Sequence, residues 1–492
     1  MALYGDQLDN QSIWRIRIGS LKELIPLKLF LGSFLVYIFF NNGLYWDSAS
    51  ERTRYAQIKA IAEDNVLYID RFVPTFLRND MWDLVLAPSG HFYPNKPPGL
   101  TFLGVPVLYI TKVLGIPYPL DGIILISLTC VFTSATVVLL YLLCINSLGM
   151  SEKTGLLVSL LYGFATFAFP HAVTLYANPF SAFFVLSAVY FLISRNKDEN
   201  VKNQMIRYSI SGTLAGYLLL LDYSNVVLFL PFIGYILISE NRRLVFFFIL
   251  PVIVWLLVLL TYHYICFGNP FVTTYTYAIY PKNAFDWGYS RPLHLGLLRF
   301  LLTPRRGLFF YSSVLLFSIP GFILMIGNPQ DRKEGILFLS SFLILLFFFA
   351  SLAYSSGYVF GSRRLDPVLP LLCIPIGRVL TDPKQIFFGK YLQNNSIVKK
   401  YGVYAFWAVF SLLTFVSIAV NGLGALTNVH PTNVEYLDSN LSLLFAGQIH
   451  SFFWNISPLL GFAIIIPAII LIGSAIYEIC KKPLSTLSLR SP

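Results

Sequence analysis

Twelve long apolar runs set the pattern of this chain, at roughly 27–42, 122–147, 154–169, 178–194, 207–221, 224–239, 244–266, 307–327, 335–353, 365–382, 401–422 and 456–478. About 20 apolar residues suffice to cross a hydrocarbon core of about 30 Å as a helix. A helix also satisfies its own backbone there, which an irregular segment does not. The pattern predicts an all-α polytopic membrane protein with about 12 transmembrane helices (11 to 13). A further apolar stretch, 100–115, reads as one that does not fully cross. The polar interruptions divide the chain into a front membrane module (1–266) that includes a long outer loop at 43–121, a second outer loop at 267–306, and a back module at 307–492. There is no internal repeat and no low-complexity tract.

Composition agrees: 56% of the 492 residues are hydrophobic and 12% charged, against about 25% charged in soluble domains. The formal charge of +11 does not point to nucleic acid, because cytoplasmic loops of membrane proteins gather the same excess. Arg15, Arg17, Lys22 and Lys28 in the N-terminal segment belong to that excess. So do Arg195, Lys197, Lys202 and Arg207, then Arg378, Lys384, Lys390, Lys399 and Lys400, and finally Lys481 and Lys482. Placing all four groups in the cytoplasm requires 100–115 to stay on one side. The segments 43–121, 170–177, Asp222-Tyr223, 267–306, 354–364 and 423–455 then share the extracytoplasmic face, with all six histidines on or near it. The five cysteines (Cys130, Cys144, Cys266, Cys373, Cys480) lie in or beside apolar runs without paired spacing, so neither a disulfide framework nor a metal knuckle is expected. The N-terminus lacks the short apolar core and cleavage site of a signal peptide.

Candidate chemistry concentrates at 43–99. Asp47 and Glu51 stand four apart, on one face if the segment is helical, and Arg54-Tyr55 follow. Over 50–64, Tyr55, Ile58 and Ala62 fall on one side, as in an interfacial amphipathic helix; the same residues also read as a solvated helix start with Ser50 as N-cap and Glu51 in the first turn. In Lys96-Pro97-Pro98-Gly99 the prolines stiffen the stem that carries the lysine, which otherwise reads as a snorkelling cation. Arg363-Arg364 runs against the positive-inside trend and suits an anionic group such as a phosphate; Arg305-Arg306 poses the same question. Asp222, isolated between apolar runs, is either functional or a helix cap. His171, His263 and His294 admit a divalent metal beside the carboxylates, but no HxxxH or HExxH spacing marks a site. Walker, GxGxxG and GxSxG motifs are missing.

In order and spacing these residues resemble the GT-C superfamily of glycosyltransferases that use polyprenyl-phosphate sugars. The similarity is to the prokaryotic branch of protein O-mannosyltransferases and the aminoarabinose transferase of lipid A (glycosyltransferase family 39-like). That branch often reads D-E-x-R-Y-A at the start of its first outer loop and K-P-P near its end. Here Glu51–Ala56 (ERTRYA) and Asn95–Gly99 (NKPPG) match. CFGNPF (Cys266–Phe271), TPRRGLFFYSS (Thr303–Ser313) and FGSRRLDPVLPLL (Phe360–Leu372) are also similar. The resemblance implies a GT-C fold whose first outer loop carries juxtamembrane helices. It implies an inverting transferase, hexosyl or pentosyl, moving a sugar from a polyprenyl-phosphate donor to a hydroxyl of a glycan, lipid or protein on the extracytoplasmic face of the cell membrane. Glu51 or Asp47 is then the base, and Lys96, Arg54, Arg363 and Arg364 hold the phosphate. Tyr55, Asp222, His263 and Arg306 are candidates for the substrate wall. No cofactor is required. The rival reading is a secondary transporter or flippase for an anionic lipid or small anion.

Overall fold

The computed structural model describes residues 24–41, 48–75, 77–78, 83–194, 200–239, 242–279, 292–304, 306–352, 360–381, 396–427 and 451–481. Over these residues each of the twelve apolar runs folds as helix. Among the described residues, five helices are long and apolar enough to cross a membrane: Leu120–Ser147, Leu244–Phe267, Arg332–Ser351, Tyr401–Leu426 and Pro458–Lys481. Five shorter apolar helical segments accompany them, at Ile25–Phe40, Gly99–Val113, Ala177–Ile193, Tyr223–Ile238 and Ser313–Gly327. The described cysteines are all free.

The helices that position the site are α1 (Ile25–Phe40), α2 (Ala49–Asp64), α3 (Gly99–Val113), α4 (Leu120–Leu142), α5 (Glu152–Ala165), α6 (Ala168–His171), α7 (Ala177–Ile193) and α8 (Val201–Leu221). A continuous core of apolar side chains runs through them, from Tyr37 and Tyr162 to Phe180, Leu218 and Leu372. The helix Leu244–Phe267 presses onto α8 at Gly212, where an added Cβ would lie 2.1 Å from the Phe248 carbonyl oxygen. Small residues allow such close backbone approach between membrane helices.

α2 starts two residues before the sequence suggests. Its N-cap is Ser48, not Ser50, and the Ser48 hydroxyl accepts the Glu51 N–H at 3.3 Å. Nor does the helix lie open on a membrane surface. Tyr55 and Ile58 pack into the main core beside Leu100 and Leu108. On the other side Ala56 and Ala60 meet Ile69, Leu77 and Leu84. Buried on both flanks, α2 is an internal element, because described parts of the 43–121 segment fold over it. Part of that cover is a β-hairpin, Leu84–Leu86 with Phe92–Pro94, in register Leu84↔Pro94, Val85↔Tyr93 and Leu86↔Phe92. An all-α expectation misses it. Its signal is the pair of short apolar runs in LVLAPSGHFYP on either side of a turn whose Gly90 takes φ +86°, where glycine carries no Cβ penalty. α3 has 15 residues, about 22 Å of rise at about 1.5 Å each. That is shorter than a hydrocarbon core of about 30 Å, as are the neighbouring helices Ile25–Phe40 and Ala177–Ile193.

Candidate functional site

The site forms where the N-terminus of α2 meets the loop between α6 and α7. One oxygen of Glu51 accepts the backbone N–H of Leu175 at 2.8 Å, and the other lies 3.2 Å from the Ser48 hydroxyl. One turn on, Arg54 donates through Nη1 to Ser50 Oγ at 3.0 Å and reaches the Leu175 carbonyl at 3.4 Å. Glu51 and Arg54 therefore bracket one backbone residue from its two sides. Both side chains are buried, Glu51 to 3% exposure. The motif spacing ExxR thus has a physical reading, since residues three apart share a helix face and here grip one residue between them.

Lys96 reaches this region from the turn after the hairpin. Its ammonium donates to Asp83 at 2.8 Å. The hairpin sets that pairing, because the Asn95 N–H donates to the Asp83 carbonyl and holds residue 83 against 95–96. Burial pushes the Lys96 amine down to about 8. Asp83 opposes that shift, and Arg54 and Arg363 add to it. Burial would raise the Asp83 carboxyl, but Lys96, Asn95 and Arg363 hold it below the usual range.

The third contribution comes from the 360–368 segment. Arg364 pairs with Asp222 at 2.9 Å and stacks over Phe349, while Arg363 lies 4.7 Å from the Tyr176 ring centre. Burial first, and neighbouring arginines second, push both Arg54 and Arg363 down to about 10. Asp222 caps the turn Tyr223–Leu228 through the Ser224 N–H, and it also pairs with Arg364. Burial opposes its ionisation, but Arg364, Ser224 and Arg54 keep its carboxyl below the ordinary range. The Nε–H groups of Arg54, Arg363 and Arg364 are buried without a partner among the described residues. Arg54, Lys96, Arg363 and Arg364 thus form one cluster of charge with Glu51, Asp83 and Asp222, and the three guanidiniums each keep a buried Nε–H with no partner among the described residues.

The other predicted residues sit around this cluster. Arg306 is buried, and its carbonyl accepts the Ser362 hydroxyl next to Arg363. His263 shares a 2.8 Å hydrogen bond with the Tyr223 hydroxyl, one residue from Asp222. Tyr55 is engaged elsewhere: its hydroxyl donates to Asp121 at 2.8 Å, and Lys59 completes that pair. Asp47 and Arg305 lie outside the described residues, as do Arg15, Arg17, Lys22, Lys384 and Lys390. His171 is taken up by Asp366 and the Phe360 carbonyl. No described group of three His, Cys, Asp or Glu side chains converges as a metal site would require. Sequence reasoning missed Asp83, Leu175, Tyr176 and Tyr275. Tyr275 lies in the turn Thr274–Tyr277 within electrostatic reach of Asp222, Arg364, Asp83 and Arg54, and burial raises its hydroxyl pKa. Only Asp83 had a local signal, the hairpin that faces it to Lys96.

No protein-family model and no curated protein sequence matches the chain. Solved structures do. The apo oligosaccharyltransferase of Archaeoglobus fulgidus superposes with a TM-score of 0.53 at 11% identity, over 84% of this chain and 57% of that one. The oligosaccharyltransferase AglB of the same organism, in complex with an inhibitory peptide and a dolichol-phosphate, gives 0.50 at 12% identity over the same shares. ArnT from Cupriavidus metallidurans in the apo state gives 0.49 at 13% identity, over 92% of this chain and 77% of that one. The chain spans little more than half the length of the archaeal enzymes. Its predominantly helical fold is similar to that of the archaeal oligosaccharyltransferase.

Proposed function

We propose that this protein is an integral-membrane glycosyltransferase that moves a sugar from a polyprenyl-phosphate donor to an acceptor hydroxyl on the extracytoplasmic face. The observation that carries the proposal is the convergence of Arg54, Lys96, Arg363 and Arg364, from three separate segments, with three buried Nε–H groups unpaired among the described residues. Buried guanidiniums left with a donor to offer suit a multidentate oxyanion, and Arg matches phosphate geometry. Beside the three carboxylates, four cations leave an excess of one positive charge, which suits the single negative charge of a sugar phosphodiester. The dolichol-phosphate complex of the similarly folded AglB supports this chemistry.

In the proposed step a carboxylate takes the proton of the acceptor hydroxyl, whose oxygen attacks the anomeric carbon. The bond from that carbon to the phosphate oxygen breaks with inversion. The electron pair leaves on the lipid phosphate, where the cations stabilise it. Glu51, held in orientation by Leu175 and Ser48, is the base, and Asp47 is its neighbour in sequence. An ordinary carboxylate suffices at neutral pH. No step needs a metal.

The test is purified protein with radiolabelled undecaprenyl- and dolichyl-phosphate sugars, in detergent and in liposomes. Donor cleavage or transfer is the expected outcome. Uptake or lipid movement without bond cleavage would replace the enzyme with a transporter or flippase.

A further inference from the structure

His171 closes the turn that carries both arginines. Its ring is fully buried at the end of α6, with 0% exposure. Nδ1 lies 2.7 Å from an Asp366 oxygen and Nε2 lies 2.9 Å from the Phe360 carbonyl oxygen. Phe360 and Asp366 are the two ends of the segment that holds Arg363 and Arg364. One imidazole therefore ties both ends of that segment to α6. A carbonyl only accepts, so Nε2 carries its hydrogen. The remaining proton of the pair lies between Nδ1 and Asp366, and the contact holds either as imidazolium with carboxylate or as neutral imidazole with carboxylic acid.

The same α6 leads directly into the other half of the site. Leu175, four residues after His171, donates to Glu51 and receives Arg54, and Tyr176 lies under Arg363. Inside the tied segment Gly361 takes φ +64° against the Phe167 ring, and Ser362 donates to the Arg306 carbonyl. We infer that His171 and Asp366 are positioning residues, a staple that registers the arginine turn against the Glu51–Leu175 contact and so sets the distance between the phosphate-holding cations and the base. The inference rests on the function proposed above for what it positions, but its geometry stands alone.

Two readouts on the full chain in nanodiscs test it: affinity for undecaprenyl phosphate, and hydrogen exchange of peptides covering 172–176 and 361–365. Asp366→Asn keeps a side-chain N–H that donates to Nδ1, so it is expected to hold affinity within about threefold and exchange unchanged. His171→Ala and Asp366→Leu lose the staple. They are expected to weaken lipid-phosphate binding tenfold or more and to raise exchange in those two segments above the rest of the chain. Unchanged affinity and exchange in folded His171→Ala would overturn the inference. If His171→Ala does not fold, the comparison of Asp366→Leu with Asp366→Asn decides, and equal behaviour of the two overturns it. If the wild-type protein does not bind undecaprenyl phosphate, the functional reading fails. Exchange then decides this inference by itself: a local rise supports it and an unchanged pattern ends it.

Discussion

Lys96→Met separates what the lysine does for the fold from what it does for the ligand. Methionine keeps the length of the side chain and removes the charge, so Asp83 loses its 2.8 Å partner. Breaking a buried pair from one side costs about 3–5 kcal/mol. Here the side chains keep 14% and 18% exposure, and Arg363 still helps Asp83, so the loss should fall at about the lower end of that range. Removing a charge-assisted contact to a phosphate costs a further 1.5–3 kcal/mol of binding, roughly ten- to a hundredfold. The double variant Lys96→Met/Asp83→Asn takes away both charges. It should regain most of the thermal stability and none of the affinity for polyprenyl phosphate. Wild-type affinity in either variant would refute the reasoning, because Lys96 would then serve only to neutralise Asp83. The pH dependence gives a second check. Lys96 in the folded protein sits near 8, below its ordinary 10.5. Its charge is lost as pH rises through about 8, so donor affinity should fall there in wild type and stay flat in Lys96→Met. Stability moves the other way. Between those two values the unfolded chain binds the extra proton, so this group's contribution to stability rises with pH.

Other expectations follow from single contacts. Glu51→Gln should lower turnover about a hundredfold or more while donor binding persists; near-normal turnover, with Asp47→Asn inactive, would move the base to Asp47. Gly212→Ala puts a methyl 2.1 Å from the Phe248 carbonyl oxygen, so the helices must part, and thermal melting should show a loss of about 1–3 kcal/mol. An unshifted transition would deny that close approach. A cysteine at Ser89, exposed on the hairpin turn, should react with an impermeant thiol reagent in intact cells, whereas exposed Cys480 should react only after permeabilisation. The reverse pattern would invert the topology.

How far these features could be read from the chain depends on the distance over which each is specified. Helices came through well, because an apolar run carries its own instruction and the membrane enforces it. Lys96, Arg54, Glu51 and Arg363-Arg364 were also legible, since charges are conspicuous in so apolar a chain and each stands in a short motif. Burial of α2 was not, because the alternation of Tyr55, Ile58 and Ala62 reports one apolar face. The second face consists of Ala56 and Ala60, small residues that look neutral until Leu84 and Ile69 cover them. Nor were the partners legible. Leu175 contributes a backbone N–H and C=O, which every residue other than proline has. His171 and Asp366 stand 195 residues apart, and neither has a neighbour in sequence that announces the other. In the proposed site the charged groups mark where an anion would be held, while the contacts that join its segments are made by uncharged backbone at Leu175 and by the buried His171 imidazole. Substitutions that break the His171–Asp366 pair should therefore alter the reaction while leaving the recognisable motif intact. A chain that keeps ERTRYA and NKPPG but loses this pairing should bind its donor poorly, although its motifs read the same.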